Sequence, residues 1–309
     1  MITKISKPAL RRGLLLAMLG LLTFGCISPA RLLPAHSSPV PATKSPAPAV
    51  ALSPTQTVTA MPTMGIGSTQ ISPKDHMVQV YVPAGEFRMG TDPTKDSRAE
   101  KDELPQHTVY LDAFWIDWTG VTNAQYARCV TDRQCTAPED TSSITRHSYY
   151  GNVQYANYPV INVNWSQAQT YCTWSGGRLP SEAEWEKAAR GTDGRLYPWG
   201  DAAPDPGLAN YNYQPGDTTA VGSYPSGASP YGALDMAGNV WEWVSDWYSD
   251  SYYQQSPARN PLGPDTGSDR VLRGSAWSEP AASNRSALRV GYDPNLGDIR
   301  VGFRCAVSP

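Results

Sequence analysis

From Gly191 onward, Gly, Pro, Asn and Asp interrupt the chain so often that long helices and strands have little room. Whatever folds there has to hold loops together. The composition supplies a means, with 10 Trp and 17 Tyr against only 4 Phe. Such rings bury a large apolar face while an N–H or O–H still finds a partner in a neighbouring loop. Regular elements are easier to read before Gly191. Val78, Val80 and Val82 alternate as a strand does, Ala84-Gly85 turns, and a second strand passes through Phe87 and Met89. Residues 108–117 read as one further strand-like run. Thr122 with Gln125 forms a capping box for a short helix through Tyr126 and Val130. Asn164 with Gln167 caps another that reaches Trp174 and stops at Gly176-Gly177. The clearest helix starts after Ser181, with Glu184 in place for a capping box and Gly191 able to end it. Trp185, Ala188 and Ala189 give it one apolar face. The expected domain, residues 78–309, is a loop-rich α+β structure with little regular secondary structure and enough chain for one core.

The first residues set an address. Lys4, Lys7, Arg11 and Arg12 precede an apolar run over residues 14–24, the pattern of a secretory signal and too short for a comfortable membrane-spanning helix. The run ends at Gly25-Cys26, which resembles a bacterial lipoprotein cleavage site, although Thr23 and Phe24 depart from the usual pattern. Acylation of Cys26 would anchor the protein to a cell membrane or outer envelope surface. Cleavage further on, or an uncleaved anchor, are the alternatives. Residues 27–77 hold nine prolines among Ser, Thr and Ala. Such a stretch cannot build a core and reads as an extended disordered linker. An even set of cysteines follows: Cys129, Cys135, Cys172 and Cys305. In an exported domain this favours two disulfides over free thiols. Cys129 and Cys135 are close enough in sequence to close a small loop, which leaves Cys172 to join Cys305. The net charge of -3 and the lack of a basic cluster leave no nucleic-acid footprint.

Several segments, in order, cover essentially the whole domain. They are Val82-Pro-Ala-Gly-Glu-Phe-Arg-Met-Gly90, Gly120-Val-Thr-Asn-Ala-Gln-Tyr126 and Pro159-Val-Ile-Asn-Val-Asn-Trp165. Next come Tyr171-Cys-Thr-Trp-Ser-Gly-Gly-Arg-Leu-Pro-Ser-Glu-Ala-Glu-Trp-Glu186 and Tyr197-Pro-Trp-Gly200. The last are Tyr231-Gly-Ala-Leu-Asp-Met-Ala-Gly-Asn-Val-Trp-Glu-Trp243, Arg273-Gly-Ser275 and Val301-Gly-Phe-Arg-Cys305. This ordered set resembles the sulfatase-modifying-factor family, whose best-known members are the formylglycine-generating enzymes. The resemblance implies a variant of the C-type-lectin-like fold, and the Cys172–Cys305 pairing resembles a disulfide of that family.

The resemblance also implies structural Ca²⁺. One site would take the carboxylates of Asp235 and Glu242 with the carbonyls of Gly238 and Val240; a second would take Asn210, the Tyr211 carbonyl and Asp217. Hard oxygen donors suit that ion. The alternative is that Asp235, Asn239 and Glu242 merely cap turns. The family oxidase chemistry rests on two cysteine thiolates that bind Cu(I), and both matching positions here are serine, Ser278 and Ser283. A serine hydroxyl is a hard, poor ligand for Cu(I) and forms no disulfide with a substrate, so no copper is expected. No histidine lies near Ser278 to make it a nucleophile. Arg285 and Arg289 are expected to pair with carboxylates, or one of them to hold a ligand anion. The reading is an exported, non-catalytic binding or scaffolding module of the cell envelope. Its ligand cleft would lie at Trp277, Ser278, Ser283, Asn284 and Arg285, and its partner would be a protein, peptide or glycan. The rival is an enzyme acting on exported proteins, by family-type or other chemistry on this fold.

Overall fold

The structure, a computed structural model, describes residues 64–309. The N-terminal signal pattern, Cys26 and linker residues 27–63 lie outside the described residues. The domain starts earlier than the valine alternation suggests. Strand β1, Thr69–Ile71, pairs antiparallel with β2, Val78–Val82, and Gln70 Nε2 donates to Gln79 Oε1 at 2.8 Å. The turn between them is anchored by Asp75, whose carboxylate accepts from the Met77 N–H and the Tyr171 hydroxyl. Residues 69–77 therefore belong to the domain and not to the linker. The turn's anchor, Tyr171, lies far away in sequence, which is why composition alone assigned these residues to the tether.

β2 is followed by β3, Gly85–Met89, as expected. The single run over 108–117 is in fact two strands, β4, His107–Leu111, and β5, Phe114–Asp117. β4 pairs with β3 in one sheet while β5 lies between β2 and β10, Ala306–Val307, in another. The break falls at Asp112, whose N–H and carboxylate are taken by Asn260. Because β2 and β10 flank the same strand, the two ends of the domain share one sheet. A third sheet has the order β8-β7-β6-β9, with β6 Trp241–Trp247, β7 Arg270–Arg273, β8 Arg289–Tyr292 and β9 Val301–Phe303. β6 and β9 run parallel, the other pairs antiparallel.

The helices start where the capping signals lie. α1, Asn123–Thr131, α2, Trp165–Ser175, and α3, Glu182–Arg190, each open with a complete capping box, at Thr122, Asn164 and Ser181 respectively. Gly176 ends α2 at φ 95°, a conformation that glycine adopts without a Cβ penalty. Both disulfides are present. Cys172–Cys305 ties α2 to the residue that leads into β10.

α3 departs from the expectation of one apolar face: all nine of its residues are buried. Its polar side is closed by charge pairing. Glu182 binds Arg289 through two bonds of 2.7 and 2.8 Å. Glu186 accepts from Arg273 at 2.6 Å and from Arg190 at 3.0 Å. Lys187 Nζ donates to the carbonyls of Pro83 and Gly85 at the β2–β3 turn. Burial lowers the Lys187 pKa to about 8. A helix with ionic groups inside can be central only if each finds a partner, and here β7, β8 and the turn provide them.

Candidate functional site

The segment after β7 carries the residues expected to line a ligand cleft. Trp277, Ser283, Asn284 and Arg285 are all buried, and only Ser278 is half-exposed. Arg285 is not available to a ligand anion. Its two terminal nitrogens each contact a Glu103 carboxylate oxygen at 2.6 Å. Arg289 is likewise held, by Glu182. Their expected pairing with core carboxylates is what the structure has. The Ser278 hydroxyl reaches only Glu279, at 3.5 Å, and the Ser283 N–H donates to Pro280 in the short turn over 280–284. The loop over 210–217 lies alongside. The Tyr213 N–H donates to the Trp277 carbonyl and the Asn212 N–H to the Glu279 carbonyl, both at 2.8 Å. Tyr213, exposed over 65% of its surface, meets Trp277 edge to face at 5.5 Å.

The same segment carries unmet polar demand. Ser275 Oγ, Trp277 Nε1, Asn284 Oδ1 and Ser286 Oγ are buried without a hydrogen-bond partner, all within residues 275–286. Buried polar groups are nearly always satisfied, and for atoms closed off from the surface in this way the partner that fits is bound water. Ser275 is also held at φ 71°, unusual for a residue with a Cβ. Ser275 enters the sequence reading only as the end of the Arg273-Gly-Ser275 segment, and Ser286 not at all. Positive φ and an orphaned hydroxyl come only from the packing around them. A cavity of about 830 Å³ lies elsewhere, beside Lys74, Asp132 and Trp174.

The residues assigned to calcium are only partly suited to it. Both oxygens of Glu242 are taken by Arg304, at 2.7 and 2.8 Å, and one also accepts from Trp185 Nε1. Asp217 accepts from Ser143, Thr145 and Thr218 and contacts Arg146. Neither carboxylate is a free ligand. Asp235 fits better. One oxygen accepts from the Gly222 N–H, and among the described residues no cation forms a salt bridge with it. Its pKa is pushed up to about 6, first by burial and also by nearby Glu242, against Gly222 and Arg304. Asn210 Oδ1 fits too, buried and without a partner. Gly238 serves packing, since a Cβ there would lie 2.3 Å from the Asn210 carbonyl oxygen. Val240 is buried against Tyr149 and Ile161. Tyr211 closes the tight turn to Gln214 and its hydroxyl donates to Pro204. Copper is a plainer case. Serines stand at Ser278 and Ser283, and every cysteine of the described residues is in a disulfide, so no thiolate is present to hold Cu(I).

The family profile "Sulfatase-modifying factor enzyme 1-like domain" matches residues 67–309. The chain belongs to this family. The family domain is 37% identical over 287 residues to a formylglycine-generating enzyme of Streptomyces coelicolor, covering 76% of this chain and 90% of that one. It is 39% identical over 251 residues to the serine/threonine-protein kinase Pkn1 of Chlamydia trachomatis. That match takes in 77% of this chain but only 39% of Pkn1, so the present chain spans about two fifths of that relative. Among solved structures, PvdO from Pseudomonas aeruginosa superposes with a TM-score of 0.67 at 28% identity, over 79% of this chain and 99% of that one. The fold is thus the C-type-lectin-like fold of this family, with the mixed sheets and long loops described above.

Proposed function

We propose that this family domain is a non-catalytic binding or scaffolding module, exported and held at a membrane surface through Cys26. One observation carries the reading. The positions at which the family resemblance implies Cu(I) thiolates are serines, and Cys129, Cys135, Cys172 and Cys305 are all consumed in disulfides. Oxidation by the family route needs a thiolate that this domain does not have. The disulfides also favour an oxidising compartment outside the cytoplasm. Relatives named as a kinase and as a formylglycine-generating enzyme share the domain, so membership alone does not set an activity. The ligand face is the half-exposed Ser278 with the exposed Tyr213, next to Trp277; a peptide or glycan has the hydrogen-bonding and apolar edges to meet a hydroxyl and an aromatic ring. The strain at Ser275 favours a second reading, an enzyme acting on exported proteins by other chemistry.

The deciding experiment offers Cu(I), oxygen and a sulfatase-type cysteine peptide to the purified protein and looks for formylglycine by mass spectrometry. No product is expected. Turnover would overturn the non-catalytic reading. A peptide and glycan screen then seeks the ligand, with Ser278→Trp as the blocked control. A ligand that binds the control equally well places the site elsewhere.

A further inference from the structure

We propose that Arg146 takes the place of a divalent cation at Asp217, and that this guanidinium positions the loop beside Trp277. Asp217 is 2% exposed, and several donors reach its oxygens. Oδ2 accepts from Ser143 Oγ and Thr145 Oγ1, both at 2.6 Å, and from the Thr145 N–H at 3.1 Å. Oδ1 accepts from the Thr218 N–H at 2.7 Å. A carboxylate offers about four acceptor positions, so with Arg146 also at Oδ2 little remains for a metal. Burial would raise the Asp217 pKa, but the bonds from Ser143 and Thr145 hold it below the ordinary carboxylate range. The counter-charge is Arg146 Nη1, 3.1 Å from Oδ2.

The arginine is itself built in. Its terminal nitrogens donate to the Thr218 hydroxyl at 3.2 Å and the Thr218 carbonyl at 3.0 Å. Its guanidinium lies 4.9 Å from the ring centres of both Tyr155 and Tyr158 and 5.8 Å from that of Tyr149. Cation–π attraction of this kind is strongest when the cation is withdrawn from water, and the Arg146 side chain keeps only 18% of its exposure. Tyr149 is fixed in turn by its hydroxyl, which donates to the Pro159 carbonyl at 2.7 Å. A divalent ion at Asp217 would meet a fixed positive charge in a cage shaped for it.

The clamp reaches the candidate site through the backbone. Asn210 Nδ2 donates to the Asp217 carbonyl at 2.9 Å and so closes the loop on itself. The same loop hands its Asn212 and Tyr213 N–H groups to Glu279 and Trp277. Arg146 is therefore a positioning residue for the face next to Ser278. This rests on where the site lies, not on whether it is catalytic.

Hydrogen exchange on the full chain tests it, read for peptides covering 141–158 and 210–219. In the native protein, exchange of both segments should be the same in EDTA and in millimolar calcium. Arg146→Ala should speed exchange in both by about tenfold or more, with α3 unchanged. Calcium should then slow the 210–219 segment of Arg146→Ala again, because the carboxylate has lost its counter-charge. Slowing of 210–219 by calcium in the native protein would overturn the proposal, even if the variant failed to fold. So would an Arg146→Ala protein that exchanges like the native one. A folded variant that calcium does not rescue would reduce Arg146 to packing and also overturn it. None of these readouts involves a ligand or turnover, so they stand or fall separately from the functional reading.

Discussion

Arg273 Nη2 and Glu186 Oε2 lie 2.6 Å apart, and neither side chain has any solvent exposure. Arg273 also donates to the carbonyls of Ser286, Ala287 and Leu288, so it links α3 to the segment that carries the candidate site. Glu186→Ala leaves Arg273 and Arg190 buried with one carboxylate fewer. Breaking a buried pair in this way costs about 3–5 kcal/mol. The urea midpoint should fall accordingly, and Glu186→Gln should lose less because it keeps a hydrogen-bond acceptor.

The two disulfides should differ in what they contribute. Cys172–Cys305 closes a span of 133 residues and Cys129–Cys135 one of 6. The chain-entropy account gives about 5 kcal/mol for the first and about 2 for the second. Paired Cys→Ala variants, compared by thermal melting, should show the larger loss for Cys172 and Cys305.

Acidity acts on the core through Asp117 and Asp246. Their pKa values are each pushed up to about 7, chiefly by burial. In the unfolded chain such groups ionise near about 3.9. Between about pH 4 and 7 the folded state therefore keeps protons that the unfolded state has released. Stability contributed by these groups is complete below the unfolded value and is lost as pH rises through the folded one. The melting temperature should be several degrees higher near about pH 5.5 than near about pH 8.

Gly238 sits at φ 75° with the Asn210 carbonyl where a side chain would go. Gly238→Ala should cost about 2 kcal/mol or more from strain and overlap together, a drop of about 4–8 °C in melting temperature. A variant that melts like the native protein would show that the 210–219 loop yields easily.

Anchoring is testable in cells. Metabolic labelling with an alkyne fatty acid should tag the native chain and leave Cys26→Ala untagged and released from the membrane fraction. Equal labelling of both would remove Cys26 as the acceptor.

Local signals were readable because their physics is local. The capping boxes at Thr122, Asn164 and Ser181 satisfy helix N–H groups with side chains three residues apart, so spacing alone reveals them. The split of residues 107–117 was not readable. It depends on Asn260, far along the chain, taking the Asp112 backbone and carboxylate. Arg285 illustrates the same limit at the site. Its motif admits a ligand-binding or a structural role, and only Glu103, 182 residues away, decides for the second.

The sequence by itself determined the kind of domain, through the ordered segments from Val82 to Cys305, and the absence of cysteine at Ser278 and Ser283. Both are matters of residue identity, which needs no coordinates. Tertiary structure alone decided which charges are spent and which polar groups remain. Glu242 goes to Arg304, Asp217 to Arg146 and Arg285 to Glu103, while Ser275, Trp277, Asn284 and Ser286 keep unmet hydrogen-bonding atoms. The reason is that pairing in a buried interior depends on distance in space, and in a loop-rich fold the partners come from chain segments that sequence order does not bring together.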